Sequence, residues 1–197
     1  MAQGKQAKIL TPRQEAIVLR QLQATRYPKR DRAMVLLSVK AGLRAKEIAE
    51  VTWGMVTDAD GRVADTIALE DRASKGRAGG RTIPMHPHLR AALTALQADR
   101  GELAGKDRPV LHSERGTGLS AASVAVWFHR IYSDIGLAGC SSHSGRRTFI
   151  TRAARKIVEA GGSLRDVQQL AGHAQLGTTQ GYIDGSTEAK RRVVEMI

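Results

Sequence analysis

One stretch of the chain, residues 63–86, interrupts a sequence pattern that is otherwise typical of helices. Its two outer segments, VADTIALE and RTIPMH, are rich in β-branched residues and partly alternate apolar with polar positions, as strands do. Between them lies DRASKGRAGG, a segment dominated by residues that favour turns. The pattern predicts one small β-hairpin with Lys75 near its tip.

Helical patterns precede and follow this hairpin. The segment TPRQ offers Thr11 as an N-cap, a proline at the first helical position and a glutamine at the third, which predicts a helix toward Thr25. A second helix is predicted over about 30–40 and ends at Gly42, and a short third one contains Ile48, with Arg44 in the junction between them. Further helices are predicted at about 87–99, 120–135, 146–160, 163–171, 178–184 and 187–196.

These elements predict a fold that is mainly α with a small antiparallel β-sheet. A chain of 197 residues is long enough for one well-filled core and too short for two ordinary domains. We therefore expect residues 1–10 to form a flexible polar tail and residues 11–197 to form a single domain.

The charge balance indicates a polyanionic partner. The chain carries 31 Lys and Arg against 19 Asp and Glu, a formal net charge of +12, which suits nucleic acid or an anionic membrane surface. The longest apolar runs, such as AMVLLSV at 33–39, fall far short of the ~20 residues of a spanning helix, and no secretion signal is found. A single cysteine, Cys140, excludes an intrachain disulfide and suits the reducing cytoplasm. Nucleic acid is the favoured partner, with no membrane.

Two segments contain residues that can carry chemistry. In HSGRRTFIT, His143 and Arg146 are three residues apart at a predicted helix N-terminus, where side-chain charge and free amides favour anion binding. Histidine can move a proton near neutral pH and arginine can hold two phosphate oxygens, so the pair suits a phosphodiester. In LAGHAQLGTTQGYID, Tyr182 is either a packing residue or a nucleophile near His173, and the same segment is typical of a DNA-binding helix-turn-helix with Gly172 in its turn.

Four blocks follow one another in the sequence: KAGLRAKEIAEVTW, SKGRAGGRTI, HSGRRTFITRAA and LAGHAQLGTTQGYI. In this order they resemble the catalytic domain of the tyrosine recombinase family, the phage-integrase-like site-specific recombinases. The resemblance runs from about Thr11 to the C-terminus. The sequence departs from the family pattern at Ala41, where threonine is common, at Gly145, which precedes Arg146 where a leucine-arginine pair is common, and at Ala171, which is inserted in the LGH block.

The resemblance implies a role for each matched residue. Arg44 and Arg146 would bind the non-bridging oxygens of the scissile phosphate and neutralise the charge that grows in the transition state. Tyr182 would attack phosphorus and leave a 3′-phosphotyrosyl link. His143 would assist it by proton transfer, and His173 would hydrogen-bond the phosphate. The reaction needs no metal and no cofactor, because the arginines supply the positive charge.

The hairpin would serve the same reaction. By resemblance, Lys75 would donate a proton to the departing 5′ oxygen. Arg77 and Arg81 are predicted to lie near DNA, since basic side chains of such a hairpin suit contact with phosphates. The covalent link stores the energy of the broken bond, so rejoining requires no ATP.

The predicted function is that of a site-specific DNA recombinase of the integrase or invertase type. We expect double-stranded DNA as partner, a homotetramer on synapsed DNA, a monomer in free solution, accessory DNA-bending proteins, and a cytoplasmic, nucleoid-associated location. Only about forty residues precede Arg44, so no separate N-terminal core-binding domain is expected. The C-terminal residues Val193, Val194, Met196 and Ile197 predict an amphipathic segment that docks in cis or on a neighbouring protomer. Two alternatives stay open: a non-catalytic helix-turn-helix regulator and a type IB topoisomerase-like enzyme.

Overall fold

The computed structural model describes residues 6–73, 80–182, 191 and 194–195. Within these ranges the protein is mainly α-helical with a small antiparallel sheet, so the predicted fold class is confirmed. The helices are α1 (Pro12–Gln21), α2 (Pro28–Ala41), α3 (Ala45–Glu50), α4 (Pro87–Arg100), α5 (Ala121–Asp134), α6 (Ser142–Lys156), α7 (Leu164–Ala171) and α8 (Leu176–Gln180). The strands are β1 (Thr66–Leu69) and β2 (Arg81–Pro84).

The chain divides into two compact units, Met1–Phe149 and Ile150–Ile197. The single catalytic domain expected over residues 11–197 stays a prediction. The boundary between the units falls within α6. Helical periodicity identifies the apolar face of each helix but not which helices share a core. The division therefore has no signal in the sequence pattern.

Helix α2 is enclosed in the first unit because it is apolar on almost every side. Every residue from Ala33 to Val39 is buried, as expected for a helix surrounded by other elements. Helix α4 packs against it. The helix ends at Gly42, whose φ of 67° is left-handed and whose N–H donates a hydrogen bond to the carbonyl of Leu37. Glycine adopts this conformation at low cost, so the predicted end of the helix is confirmed.

The predicted hairpin is present as an antiparallel pair of strands in which Ile67 lies opposite Ile83 and Leu69 lies opposite Arg81. Ile67, Leu69 and Ile83 are buried. Because alternate residues of a strand point to the same face, Arg81 shares the inner face of β2 with Ile83. The connection that contains Lys75 and Arg77 lies outside the described residues.

The sequence predicts the beginning of α1 correctly, but it places the beginning of α6 too late. Thr11 caps α1 as predicted, and its hydroxyl accepts a hydrogen bond from the N–H of Gln14. Leu10, which belongs to the segment expected to be a flexible tail, is buried and donates its N–H to the hydroxyl of Thr148 at 2.8 Å. Helix α6 begins earlier than predicted, where the hydroxyl of Ser141 accepts the N–H of His143 at 3.3 Å.

The second unit contains the end of α6 together with α7 and α8. Helix α7 ends at Gly172 with a φ of 61°. The side-chain amide of Gln168 then donates hydrogen bonds to the carbonyls of His173 at 2.9 Å and Ala174 at 3.3 Å, which closes the turn toward α8. The helix predicted over 187–196 lies largely outside the described residues, as do Val193, Met196 and Ile197 of the expected C-terminal segment.

Replacement of Gly42 by alanine should destabilise the protein more than the same change at a matched glycine. A Cβ at Gly42 would meet left-handed strain and would also overlap the ring of Phe149, whereas Gly136, with a φ of 71°, has nothing within 4 Å. We expect Gly136→Ala to lower the free energy of unfolding by about 1–2 kcal/mol. Gly42→Ala should lower it by a further ~1–3 kcal/mol. Urea unfolding of both variants measures the difference, and equal losses would contradict the packing argument.

Candidate active site

The carboxylate of Glu47 is fully buried in the first unit. Glu47 is the third residue of α3, and its Oε2 accepts a hydrogen bond from the backbone N–H of Arg44 at 2.8 Å. A glutamate at this helical position commonly reaches back to the N-cap residue, and its charge favours the helix N-terminus. The local sequence RAKE therefore brings Glu47 to Arg44 through the first turn of the helix alone.

Three guanidinium groups approach this carboxylate, and we call Glu47 with Arg44, Arg81 and Arg146 the arginine cluster. Arg44 Nη1 donates to Oε1 at 2.9 Å. Arg81 binds the carboxylate with both terminal nitrogens, Nη1 to Oε1 at 2.9 Å and Nη2 to Oε2 at 3.0 Å. Arg146 Nη1 lies 3.9 Å from Oε2 and donates to the carbonyl of Gly42 at 2.7 Å. The residues come from the start of α3, from β2 and from α6.

The cluster carries a net positive charge at neutral pH. Burial raises the pKa of Glu47, but the hydrogen bonds and charge of Arg81, the backbone N–H of Arg44 and the charge of Arg146 together hold it below the usual 4.5. Glu47 is therefore ionised, and three guanidinium charges face one carboxylate charge. The exposed side-chain fraction is 26% for Arg44, 11% for Arg81 and 4% for Arg146. An anion would meet Arg44 first.

The close approach of α6 to α2 positions Arg146. A Cβ on Gly145 would overlap the side chain of Ser38 in α2, so glycine is required at this separation. The hydroxyl of Thr148 donates to the carbonyl of Ser144 at 2.7 Å and is buried. The departure of Gly145 from the pattern of the resembled family therefore has a packing explanation.

In the second unit, Tyr182 lies beside His173. Their ring centroids are 5.5 Å apart and their planes are 22° from parallel, a stacked arrangement. Nδ1 of His173 is 2.9 Å from the hydroxyl of Thr179, and both residues are buried. The carbonyl of Tyr182 accepts a hydrogen bond from the hydroxyl of Thr151 in α6 at 3.3 Å. Thr179 engages Nδ1, so any further ring hydrogen bond of His173 is made by Nε2.

The other two tyrosines have packing roles. Tyr132 is buried and stacks on Phe128 with centroids 5.8 Å apart, and burial raises the pKa of its hydroxyl. The guanidinium of Arg30 lies 4.5 Å from the ring centroid of Tyr27, a cation–π contact. The described contacts of both residues are therefore packing contacts within the fold. Tyr182 differs from both, since it is half-buried and stacks on the ring of a histidine.

The structure groups four of the predicted catalytic residues into two pairs. Arg44 and Arg146 meet at Glu47 in the first unit. His173 and Tyr182 stack in the second unit. His143 lies in the first turn of α6, as expected, and is exposed, whereas Arg146 on the following turn is buried.

Of the three basic hairpin residues predicted to act on DNA, the structure describes only Arg81. Lys75 and Arg77 lie outside the described residues. Arg81 was predicted to lie near DNA, which stays a prediction; within the fold its guanidinium binds Glu47. No role was predicted for Glu47 or Thr179. The contact of Glu47 with Arg44 could have been predicted from their spacing of three residues. The inward position of Arg81 could have been predicted because it shares a strand face with Ile83.

Metal-binding clusters and membrane-spanning helices are both absent from the described part of the chain. Across residues 6–73, 80–182, 191 and 194–195, no group of three or more His, Cys, Asp or Glu side chains is placed to hold a metal ion. No helix in this part of the chain is long and apolar enough to cross a membrane.

The sequence matches one family of known proteins. The profile of the phage integrase family matches residues 8–189. Among curated proteins, tyrosine recombinase XerC of Chromohalobacter salexigens is 35% identical over 155 residues, which cover 78% of this chain and 47% of the relative. Tyrosine recombinase XerC of Xylella fastidiosa strain 9a5c is 32% identical over 154 residues, covering 78% and 48%. The chain spans about half the length of these curated relatives.

Solved structures share the fold. The Tn1549 transposon integrase in complex with circular intermediate DNA superposes with a TM-score of 0.73 at 22% identity, covering 99% of this chain and 68% of that one. The XerH site-specific recombinase bound to difH substrate gives a TM-score of 0.73 at 20% identity, covering 98% and 55%. XerA recombinase gives 0.73 at 20% identity, covering 98% and 66%.

Removal of the Thr179 hydroxyl should disturb His173 and lower stability. Thr179→Val keeps the shape of the side chain but leaves Nδ1 of His173 without the hydroxyl at 2.9 Å. We expect the free energy of unfolding to fall by about 1–3 kcal/mol, the cost of a buried polar group that loses its partner. Thr179→Ser, which keeps the hydroxyl, is the matched control and should lose less.

Nitrogen-15 chemical shifts of the His173 ring provide the second measurement. They should report an altered balance of ring tautomers in Thr179→Val and a wild-type balance in Thr179→Ser. Identical ring shifts in wild type and Thr179→Val would contradict a positioning contact between Thr179 and His173.

Proposed function

Because the chain belongs to the phage integrase family, the family of the tyrosine recombinases that it matches, we propose that it is a site-specific DNA recombinase. It breaks and rejoins DNA through a 3′-phosphotyrosyl intermediate on Tyr182. The observation that carries the proposal is the arginine cluster, in which Arg44 and Arg146 meet at one buried carboxylate. A net positive, partly exposed group of guanidiniums suits a phosphodiester.

The two arginines stabilise the transition state of phosphoryl transfer. A phosphodiester carries one negative charge, and charge on its non-bridging oxygens grows as the pentacoordinate transition state forms. Arg44 and Arg146 donate charge-assisted hydrogen bonds to these oxygens and remain protonated throughout. Fixed donors of this kind need no reorganisation during the reaction, which is why they lower its barrier.

Tyr182 needs help to act as a nucleophile. A free tyrosine side chain in water is only ~0.1% ionised at neutral pH, so forming a phenolate there costs about 4 kcal/mol. His143 assists by taking the phenolic proton, and its exposed position in α6 leaves it accessible to substrate. His173 donates a hydrogen bond from Nε2 to the phosphate, an orientation favoured by the contact of Nδ1 with Thr179.

The bonds exchanged in each step balance without a cofactor. The phenolic oxygen of Tyr182 forms a bond to phosphorus while the bond from phosphorus to the 5′ oxygen breaks. The 5′ oxygen leaves as a hydroxyl after it takes a proton, which by family resemblance comes from Lys75. In the reverse direction a 5′ hydroxyl of a partner duplex attacks phosphorus and releases Tyr182, so the reaction requires neither ATP nor a metal.

The partner is double-stranded DNA. The net charge of +12 favours binding to the phosphate backbone, and the solved relatives named above include recombinases bound to DNA. Exchange of four strands between two duplexes requires four nucleophiles, which implies a homotetramer on synapsed DNA. The proposal also includes a monomer in free solution and accessory DNA-bending proteins. Arg77 is a candidate DNA contact, and a DNA substrate implies a location at the nucleoid.

Two other functions remain distinguishable from this one. A helix-turn-helix regulator would use α7 and α8, but α8 has 5 residues, about 7.5 Å at 1.5 Å per residue, which is short for a groove-reading helix. That reading also leaves the arginine cluster without a role. A type IB topoisomerase would relax plasmid DNA without a specific site, whereas a recombinase requires a site and exchanges strands between two duplexes.

Wild-type protein should form a covalent adduct with DNA, and Tyr182→Phe should not. The assay uses a pool of nicked duplexes with randomised sequence around the nick, because loss of the short strand beyond the nick traps the covalent intermediate. The reaction contains EDTA and no ATP. Adducts that survive SDS are recovered with the protein, and the attached DNA is sequenced to identify the preferred site.

The matched control is Tyr27→Phe, which removes the hydroxyl of a tyrosine with a packing role. It should form the adduct at the wild-type level. Stable binding to DNA without any adduct would favour the regulator, and an adduct that persists in Tyr182→Phe would contradict the assignment of the nucleophile.

A further inference from the structure

We propose that Arg81 is a positioning residue of the phosphate site: by binding both oxygens of Glu47, it leaves the charge of Arg44 and Arg146 available to the substrate. Arg81 would not itself contact the DNA. The inference rests on the proposed function, because it concerns how the same arginines bind a phosphodiester. It replaces the expectation that Arg81 contacts DNA with a role inside the fold.

The geometry of Arg81 supports a fixed partnership with Glu47. Its two terminal nitrogens lie 2.9 and 3.0 Å from the two carboxylate oxygens, the parallel arrangement in which a guanidinium binds a carboxylate most specifically. Its side chain is 11% exposed. The backbone of Arg81 is held in β2 opposite Leu69, and Ile83 on the same strand face is buried. Arg81 is therefore anchored at both ends.

The charges of the cluster explain why this partnership affects substrate binding. Glu47 carries one negative charge in a fully buried position. The bidentate contact of Arg81 neutralises that charge, and two guanidinium charges remain on Arg44 and Arg146. Without Arg81, the negative charge of the carboxylate would offset part of the positive charge of Arg44 and Arg146, both of which lie within 4 Å of it. Less positive charge would then face a phosphate.

The contact also restricts the position of Arg44. Glu47 Oε1 accepts hydrogen bonds from Arg44 Nη1 and Arg81 Nη1, each at 2.9 Å. A carboxylate fixed by Arg81 therefore fixes one nitrogen of Arg44, while a guanidinium has further N–H donors for a substrate. Arg44 is the most exposed arginine of the cluster. Arg81 thus acts on the reaction through Glu47 and Arg44.

The test compares cleavage by wild type, Arg81→Gln and Arg81→Lys on two nicked duplexes of the sequence that wild type selects from the randomised pool. One duplex has an ordinary scissile phosphodiester. The other has a methylphosphonate there, in which a methyl group replaces one non-bridging oxygen and removes the negative charge. Arg90→Gln is the matched control, because Arg90 likewise pairs with a carboxylate, that of Asp65, but its side chain is 49% exposed and lies outside the arginine cluster.

We expect Arg81→Gln to lower the rate of adduct formation on the phosphodiester by about tenfold to a hundredfold, the scale of a misplaced catalytic group. The loss should shrink to less than threefold on the methylphosphonate, which demands less positive charge. Arg81→Lys keeps the charge without the two-point contact and should lie between wild type and Arg81→Gln on the phosphodiester. Arg90→Gln should match wild type on both substrates.

Other results would overturn the inference. A purely structural role for Arg81 predicts the same loss on both substrates, and a role in DNA contact predicts weaker DNA binding in a gel-shift assay with the same loss on both. If thermal melting shows that Arg81→Gln is unfolded, the two substrates are compared with Arg81→Lys instead. An equal loss of rate on both substrates would then also overturn the inference. Absence of any adduct with wild type would overturn the proposed function itself, whereas equal rates for wild type and Arg81→Gln would overturn only the role of Arg81.

Discussion

A buried carboxylate that must remain charged organises the first unit of this protein. Glu47 loses its hydration on folding, and the cost is offset only because Arg44, Arg81 and Arg146 surround it. Loss of one partner from such a group typically costs about 3–5 kcal/mol, since the remaining charge is then buried and unpaired. The start of α3, the strand β2 and the helix α6 therefore converge at this point, and a net positive site is the result.

The second unit supplies a different kind of group. Its α7–α8 turn is closed by the amide of Gln168, and α8 presents Thr179 to the ring of His173. The stacked pair of His173 and Tyr182 combines a ring that can carry a proton with a hydroxyl that can attack phosphorus. In the proposed reaction the arginines stabilise charge and the tyrosine forms the bond, so neither group suffices alone. Because the reaction needs both groups, the short segment that contains Tyr182 does not by itself distinguish a nucleophile from a packing residue.

Much of the fold follows from local sequence signals. The cap at Thr11, the left-handed turn at Gly42 and the antiparallel hairpin are features of a few adjacent residues, and the structure contains each of them. The pairing of Arg44 with Arg146 was expected from family resemblance, because their separation along the chain gives no local signal. The partners of these arginines were not foreseen. Arg81 reaches Glu47 across 34 residues of sequence, and a basic residue in a hairpin is more simply interpreted as a DNA contact.

The most direct test of the central claim is peptide mass spectrometry of the trapped protein–DNA adduct. Trypsin should release the segment after Arg165 through Lys190, which contains Tyr182 as its single tyrosine. The account predicts that this peptide carries a nucleotide joined through its 3′ phosphate to Tyr182, formed in the presence of EDTA. A nucleotide on another residue, a linkage through the 5′ phosphate, or an adduct that forms only with added metal would contradict it.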